Sequence, residues 1–347
     1  MKAVVIHAPH DLRIDDIPAA PAPGPGEVRV AISHGGICGS DLHYFHHGGF
    51  GAIRIREPMA LGHEVSGRIV EVGSDVAGLA EGDKVAVNPS RPCGLCEYCR
   101  RGMANHCLDM RFNGSAMRFP HEQGLFRAEV TVPAAQAIRL SPEADLALTA
   151  LSEPLAVCLH AVRQAGVLVG KRVLVSGCGP IGCLTIAAAR FAGAEEIVAT
   201  DISGPALAIA ARMGAGRTID LASEAQALAR FEAGKGQIDV VFECSGAPPA
   251  VLAALRVLRP GGMLIAVGLG PEVSVPMTQI VTREIKVVGS FRFDPEFATA
   301  ARLIDAGRID VRPVLTGVLP AEQAREAFDL ASDKARAMKV QIVFAPL

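Results

Sequence analysis

From about residue 146 to 285 the chain repeats one pattern: a short, unbroken apolar run, then an Ala- and Leu-rich stretch long enough for a helix. The apolar runs are KRVLVSG, EEIVATD, QIDVVFECSG and GGMLIAVGLG. Strands that are apolar at every position must be covered on both faces. Helices between successive strands supply the crossovers that parallel pairing needs. The pattern predicts a doubly wound parallel sheet. Residues 1 to about 145 read differently. There EVRVAIS, SGRIVEV and DKVAV alternate between apolar and polar, and Gly and Pro clusters such as PAPGPGE interrupt them, which is the logic of a β-rich unit. The last sixty residues hold two helical stretches, EFATAARLIDAG and AEQAREAFDLA, and a final strand, KVQIVF. With 347 residues, half of them hydrophobic, the chain can bury two cores. The expected fold class is a two-domain α/β protein.

Composition narrows the functional classes. The formal net charge is −2 and no Lys/Arg cluster is present, so neither nucleic acid nor a polyanionic surface is an expected partner. The opening MKAVVIHAPHDLRIDD lacks the pattern of a signal peptide, and runs such as CLTIAAA and MLIAVGLG are too short for a bilayer. A soluble, cytoplasmic protein with no membrane partner and a small-molecule substrate is expected.

After the strand KRVLVSG comes Gly177-Cys178-Gly179-Pro180-Ile181-Gly182, and a helical run follows at once. Glycines alone mark any tight turn. Between a strand and a helix they let the backbone approach a pyrophosphate at a positively polarised helix start. Asp201 ends the next strand, where a carboxylate accepts ribose hydroxyls and repels a 2′-phosphate. This predicts a Rossmann site that prefers NAD to NADP. In the alternative, the glycines form a plain turn and Asp201 is a helix N-cap.

Of nine cysteines, Cys93, Cys96, Cys99 and Cys107 fall within one polar loop as C-x2-C-x2-C-x7-C. Four thiolates at this spacing can close a structural zinc site, and a ferredoxin-type run would need a shorter last spacing. In a long chain without a signal peptide such a cluster points to metal rather than disulfides. A second, dispersed set is Cys38 in GGICGSDLH, His63 and Glu64 in LGHE, and Glu153 in LSEPLAV. Together they offer the thiolate, imidazole and carboxylate of a catalytic zinc with an open position. Cys158, Cys178, Cys183 and Cys244 lie in apolar surroundings and read as packed thiols.

Taken together, GHE, the four-cysteine lobe, the glycine fingerprint and their order resemble the zinc-containing medium-chain dehydrogenase/reductase superfamily over essentially the whole chain. The resemblance implies a GroES-like catalytic domain at 1–147 with its zinc lobe at about 88–112, a coenzyme domain at 148–287, and a C-terminal segment at 288–347 that completes the catalytic domain. Glu153 in SEPLAVCLHA resembles the polyol (sorbitol dehydrogenase-like) branch, where glutamate replaces a cysteine ligand. Within it, GGICGSDLHYF, NPSRPCGLCEYC, DMRFNGSAMRFPH and GSFRF resemble the L-idonate 5-dehydrogenases.

By that resemblance Cys38 and His63 are catalytic-zinc ligands, Glu153 binds the metal directly or through water, and Glu64 is a further ligand or a supporting group. Ser40 takes the alcohol proton and His43 passes it toward solvent by way of the coenzyme ribose. Tyr44 and Arg292 touch substrate, while Ile181, Val267, Gly268, Leu269, Ser290, Phe291 and Arg292 touch NAD. The implied reaction is oxidation of a sugar acid or polyol, L-idonate to 5-keto-D-gluconate first among them, by a homotetramer with two zinc ions per subunit. Arg292, helped by Arg111 or Arg118, is expected to meet the sugar-acid carboxylate. Two positions depart from polyol relatives: Ala206 stands where a cation often follows the ribose-binding acid, and Phe293 where sorbitol dehydrogenases have tyrosine. Open alternatives are a sorbitol or xylitol dehydrogenase, a threonine-type amino-acid dehydrogenase, and a non-catalytic coenzyme-binding protein.

Overall fold

The structure, a computed structural model, describes residues 1–344. It divides into two compact units. The first comprises Met1–Glu153, Phe297–Gly307 and the chain from Leu315 onward; the second comprises Pro154–Glu296 and Arg308–Val314.

A mainly antiparallel sheet organises the first unit. Its central strand, Glu27–Gly36, lies between Glu64–Val72 and Lys339–Val343. Val28, Val30 and Ile32 alternate inward along it and are almost fully buried, as the period of a half-covered strand requires. Gly36 pairs with Glu64 on one side and with Gln341 on the other, so the last strand of the chain lies beside the turn that leads to Cys38. The N-terminal stretch adds a hairpin, Lys2–Ala8 with Asp11–Asp16.

Six parallel strands form the second unit's sheet. Taken in chain order their arrangement is 3-2-1-4-5-6: Arg217–Asp220, Glu196–Asp201, Arg172–Ser176, Ile238–Glu243, Leu258–Ala266 and Lys286–Gly289. This is the order of a dinucleotide-binding Rossmann sheet, with ligand space expected where the order reverses, beyond Ser176 and Glu243. The four apolar runs form the four inner strands. Sequence patterning misses the two outer ones, because an edge strand has one neighbour and needs no apolar run. RTID and KVVG are correspondingly short and largely exposed.

The glycine turn closes between the first strand and the helix Pro180–Phe191. Gly177 adopts φ +88°, and a Cβ there would press on Ser245 N at 2.8 Å. A Cβ on Gly182 would run into the carbonyl of Gly177. Gly182→Ala should therefore force the turn open and cost about 1–3 kcal/mol, the usual penalty of overpacking. The expected readout is a lowered urea midpoint together with weakened coenzyme binding.

Candidate active site

Cys38 ends the run from the central strand and starts the helix Gly39–His47, whose N3 residue Asp41 accepts the Cys38 N–H at 3.0 Å. His63 and Glu64 arrive from the neighbouring strand. The ligand atoms of Cys38, His63 and Glu64 lie within 4.8 Å of one another. Glu153 falls outside that set, yet it is buried close enough to feel His63, Glu64 and Cys38.

The donor set is rich in buried acids and poor in cations. Burial pushes the Cys38 thiol up to about 11 and the Glu153 carboxyl up to about 8. Asp41 is likewise raised by burial. The one ammonium among them, Lys339 Nζ, is fully engaged: it donates to both oxygens of Glu64, at 2.8 and 2.9 Å, and to the carbonyl of Ile37 at 3.1 Å. His63 Nδ1 is buried without a hydrogen bond, 3.8 Å from Asp41 Oδ1. A thiol, an imidazole backed by a carboxylate and surplus carboxyl groups make a donor set suited to a divalent zinc ion. Because Glu64 already faces Lys339, it reads as the supporting carboxylate, whereas at Glu153 burial outweighs the charges of His63 and Lys339.

Sulfur dominates the second cluster. Cys93, Cys96, Cys99 and Cys107 place their sulfurs within 4.8 Å of one another. The Cys96–Cys107 separation is 4.0 Å, against about 3.8 Å for the edge of a tetrahedron with 2.3 Å zinc–sulfur bonds. Backbone N–H groups aim at the sulfurs: Cys93 N donates to Cys107 at 3.2 Å, and Cys96 N donates to Cys93 at 3.3 Å. Such donors favour thiolates, and those of Cys99 and Leu108 hold Cys96 down to about 6. The set fits a closed structural zinc.

In the second unit, Gly179 differs from its neighbours. A Cβ built there meets nothing within 4 Å, so the protein's own packing does not require this glycine. The open space lies at a helix start, where first-turn N–H groups lack helical partners. Asp201 supports the turn from the next strand: Oδ2 accepts Cys178 N at 2.6 Å, and Oδ1 accepts Ile202 N and Ser203 N at 2.7 and 2.9 Å. The helix N-cap is Ser203, so Asp201 is not the cap. Ser290 Oγ is buried and unpartnered. Val267 and Gly268 both donate to Glu243 O, and Leu269 and Phe291 are exposed.

Residues 24–142 match the alcohol dehydrogenase GroES-like domain, and residues 180–306 the zinc-binding dehydrogenase domain. The chain is 45% identical to L-idonate 5-dehydrogenase (NAD(P)(+)) of Escherichia coli (strain K12), over 91% of each chain. It is 38% identical to the sorbitol dehydrogenase of Gallus gallus, over 94% of this chain and 92% of that one. The crystal structure of L-idonate 5-dehydrogenase from Escherichia coli str. K-12 substr. MG1655 superposes with a TM-score of 0.94 at 41% identity, covering 99% and 98% of the two chains. This chain is a zinc-containing medium-chain dehydrogenase/reductase of the polyol branch. Its members' chemistry makes it an oxidoreductase acting on CH–OH groups with zinc and a nicotinamide coenzyme.

For this zinc dehydrogenase the structure changes the reading of several side chains. Tyr44 is 1% exposed, on the inward face of its helix with Asp41 and Phe45, and its hydroxyl accepts Ala116 N at 3.0 Å. It anchors the 109–121 loop instead of facing open space. Within that loop Arg118 is paired with Asp109, and Arg111 with Glu122 at 2.6 Å, so both guanidinium groups already have carboxylate partners. Arg292 takes a left-handed conformation, φ +53°, with its guanidinium 5.1 Å from the centre of the Phe291 ring. Ser40 and His43 lie one turn apart at the start of the Gly39–His47 helix, and His43 is exposed. Phe293 is buried. Sequence reading missed Asp41 and Lys339. Asp41 could have been found from its place three residues after Cys38, a capping position. Lys339 carries no local signal.

Two measurements follow from the buried cluster. Lys339→Met leaves the Glu64 carboxylate buried without a counter-charge and should cost about 3–5 kcal/mol in urea unfolding, part of which the Glu64→Gln/Lys339→Met double variant restores. Zinc uptake at the Cys38 site must release the protons of Cys38 and Glu153. Affinity in chelator competition should therefore fall as pH is lowered from 8 to 6, by more than about tenfold per unit. Glu153→Gln should remove one proton from that release and flatten the slope.

Proposed function

We propose that this dehydrogenase oxidises a secondary alcohol of a sugar acid, L-idonate to 5-keto-D-gluconate, with NAD as the acceptor. The observation that carries the chemistry is the buried Cys38, His63 and Glu64 cluster with Glu153 beside it, a donor set short of positive charge. Zinc held there would lower the pKa of the substrate hydroxyl, and the nicotinamide would take the hydride. Asp41 lies behind the His63 ring, its Oδ1 3.8 Å from Nδ1, and Lys339 holds Glu64 in place. Ser40 accepts the hydroxyl proton and His43, exposed one turn later, carries it toward solvent. Similarity to the Escherichia coli L-idonate enzyme over nine-tenths of the chain supports the choice of substrate. Asp201, held by three backbone N–H groups, supports NAD, since a fixed carboxylate repels a 2′-phosphate. The same reading takes the protein as a cytoplasmic homotetramer with two zinc ions per subunit, one at the Cys38 site and one in the four-cysteine lobe.

A neutral polyol, sorbitol or xylitol, is the second reading. The loop ion pairs favour it, because Arg111 and Arg118 are already matched by carboxylates. For the sugar-acid reading, Arg292 is the cation that the family resemblance sets against the carboxylate of an aldonate. The test is NADH formation with L-idonate, D-gluconate, sorbitol, xylitol and L-threonine against NAD and NADP. L-Idonate with NAD should give the highest kcat/KM. Arg292→Gln should raise KM for L-idonate by about tenfold or more, and by clearly more than that for sorbitol, as expected for loss of one charged hydrogen bond. A sorbitol preference, or equal effects on both substrates, would remove the carboxylate contact.

A further inference from the structure

The helix Gly39–His47 ends in a histidine, His47, that the proposed reaction does not use, one turn beyond the proton-carrying His43. Its sequence, GSDLHYFHH, places His43 and His47 four residues apart, and both are exposed. Residues at this spacing stack on one helix face, with Cβ atoms about 5–6 Å apart. The two ring centroids are 6.1 Å apart and their planes differ by 39°. His46 lies beside the pair, its ring 5.9 Å from that of His47, but it is engaged elsewhere: its Nε2 lies 2.7 Å from Ser332 Oγ and its ring packs edge-on against His10.

We propose that His43 and His47 form a surface site for a divalent transition ion with a preference for imidazole, such as Ni²⁺, Cu²⁺ or excess Zn²⁺, distinct from the two sites above. Metal–imidazole bonds of about 2.0–2.1 Å place two rings on one ion with centroids about 5 Å apart. The remaining difference closes by rotating two exposed side chains on a helix backbone that already holds them in line. Two imidazoles at this spacing on one helix face are the arrangement by which helices present histidine pairs to a metal. The last helical turn, with its carbonyl end, favours a cation. Burial, more than the charges of His47 and Lys334, holds His43 below its usual value. Water completes the coordination.

Occupancy has a consequence that rests on the proton-carrying role given to His43. An ion held between the two rings ties up the imidazole that would pass the proton outward, so turnover should fall. The metal site and the proton path can be tested separately. The zinc-loaded, untagged chain is passed over immobilised Ni²⁺ beside His47→Gln and His46→Gln. The unsubstituted chain and His46→Gln should be retained, while His47→Gln should elute at a much lower imidazole concentration. Retention of His47→Gln equal to that of the unsubstituted chain would overturn the site. The second arm measures the rate of the zinc-loaded enzyme as Ni²⁺ is added. His47→Gln should keep its uninhibited rate, and its inhibition constant should rise by about tenfold or more, the usual effect of losing a metal-supporting group. If His47→Gln loses retention but is inhibited as strongly as the unsubstituted enzyme, the metal site stands and its link to turnover is overturned, because the inhibition then arises elsewhere.

Discussion

A single buried ammonium holds the chemistry of the first unit in register. Lys339 comes from the last strand of the chain, and its three protons go to the two Glu64 oxygens and to the carbonyl of Ile37, one residue before Cys38. That group therefore ties three distant segments at the point where the thiolate and imidazole converge. An ion pair this deep is weak evidence for stability, because desolvation offsets most of its attraction. Its value is positional. It neutralises one of several buried carboxyl groups around Cys38 and His63, so the cluster taken as an array of side chains stays short of positive charge.

The second unit rests on a steric constraint instead. Gly177 and Gly182 are required by the backbone and side chains around them, whereas Gly179 opens onto free space. Asp201 then ties the end of the second strand to that turn through Cys178 N. Oδ1 already accepts two N–H groups and Oδ2 one, so the carboxylate is fixed before any ribose arrives and keeps acceptor capacity on Oδ2.

Much of the fold was legible because its signals are local. Unbroken apolar runs gave the four inner strands of the parallel sheet, glycines between a strand and a helix gave the turn, and closely spaced cysteines gave the lobe. Features outside that local patterning depend on what the chain packs against. The edge strands Arg217–Asp220 and Lys286–Gly289 carry no apolar run because one face and one side are open to water. Tyr44, a substrate contact by resemblance, packs inward, because three-residue spacing puts it on the same helix face as Asp41. Arg118 is a free cation in the sequence and an ion pair in the structure, its partner nine residues away.

Residue types and their spacing determined the fold class, the glycine turn and the four-sulfur lobe, since each depends on neighbours a few residues apart. Tertiary structure alone decided which acid the buried lysine would answer, because Lys339 and Glu64 are 275 residues apart in sequence. It also decided how the chain is shared between the units, with Phe297–Gly307 returning to the first and Arg308–Val314 crossing back to the second. No local pattern encodes such choices. They follow from which surfaces and charges meet once the strands have paired, and a buried charge accepts whichever partner the completed sheet brings within reach.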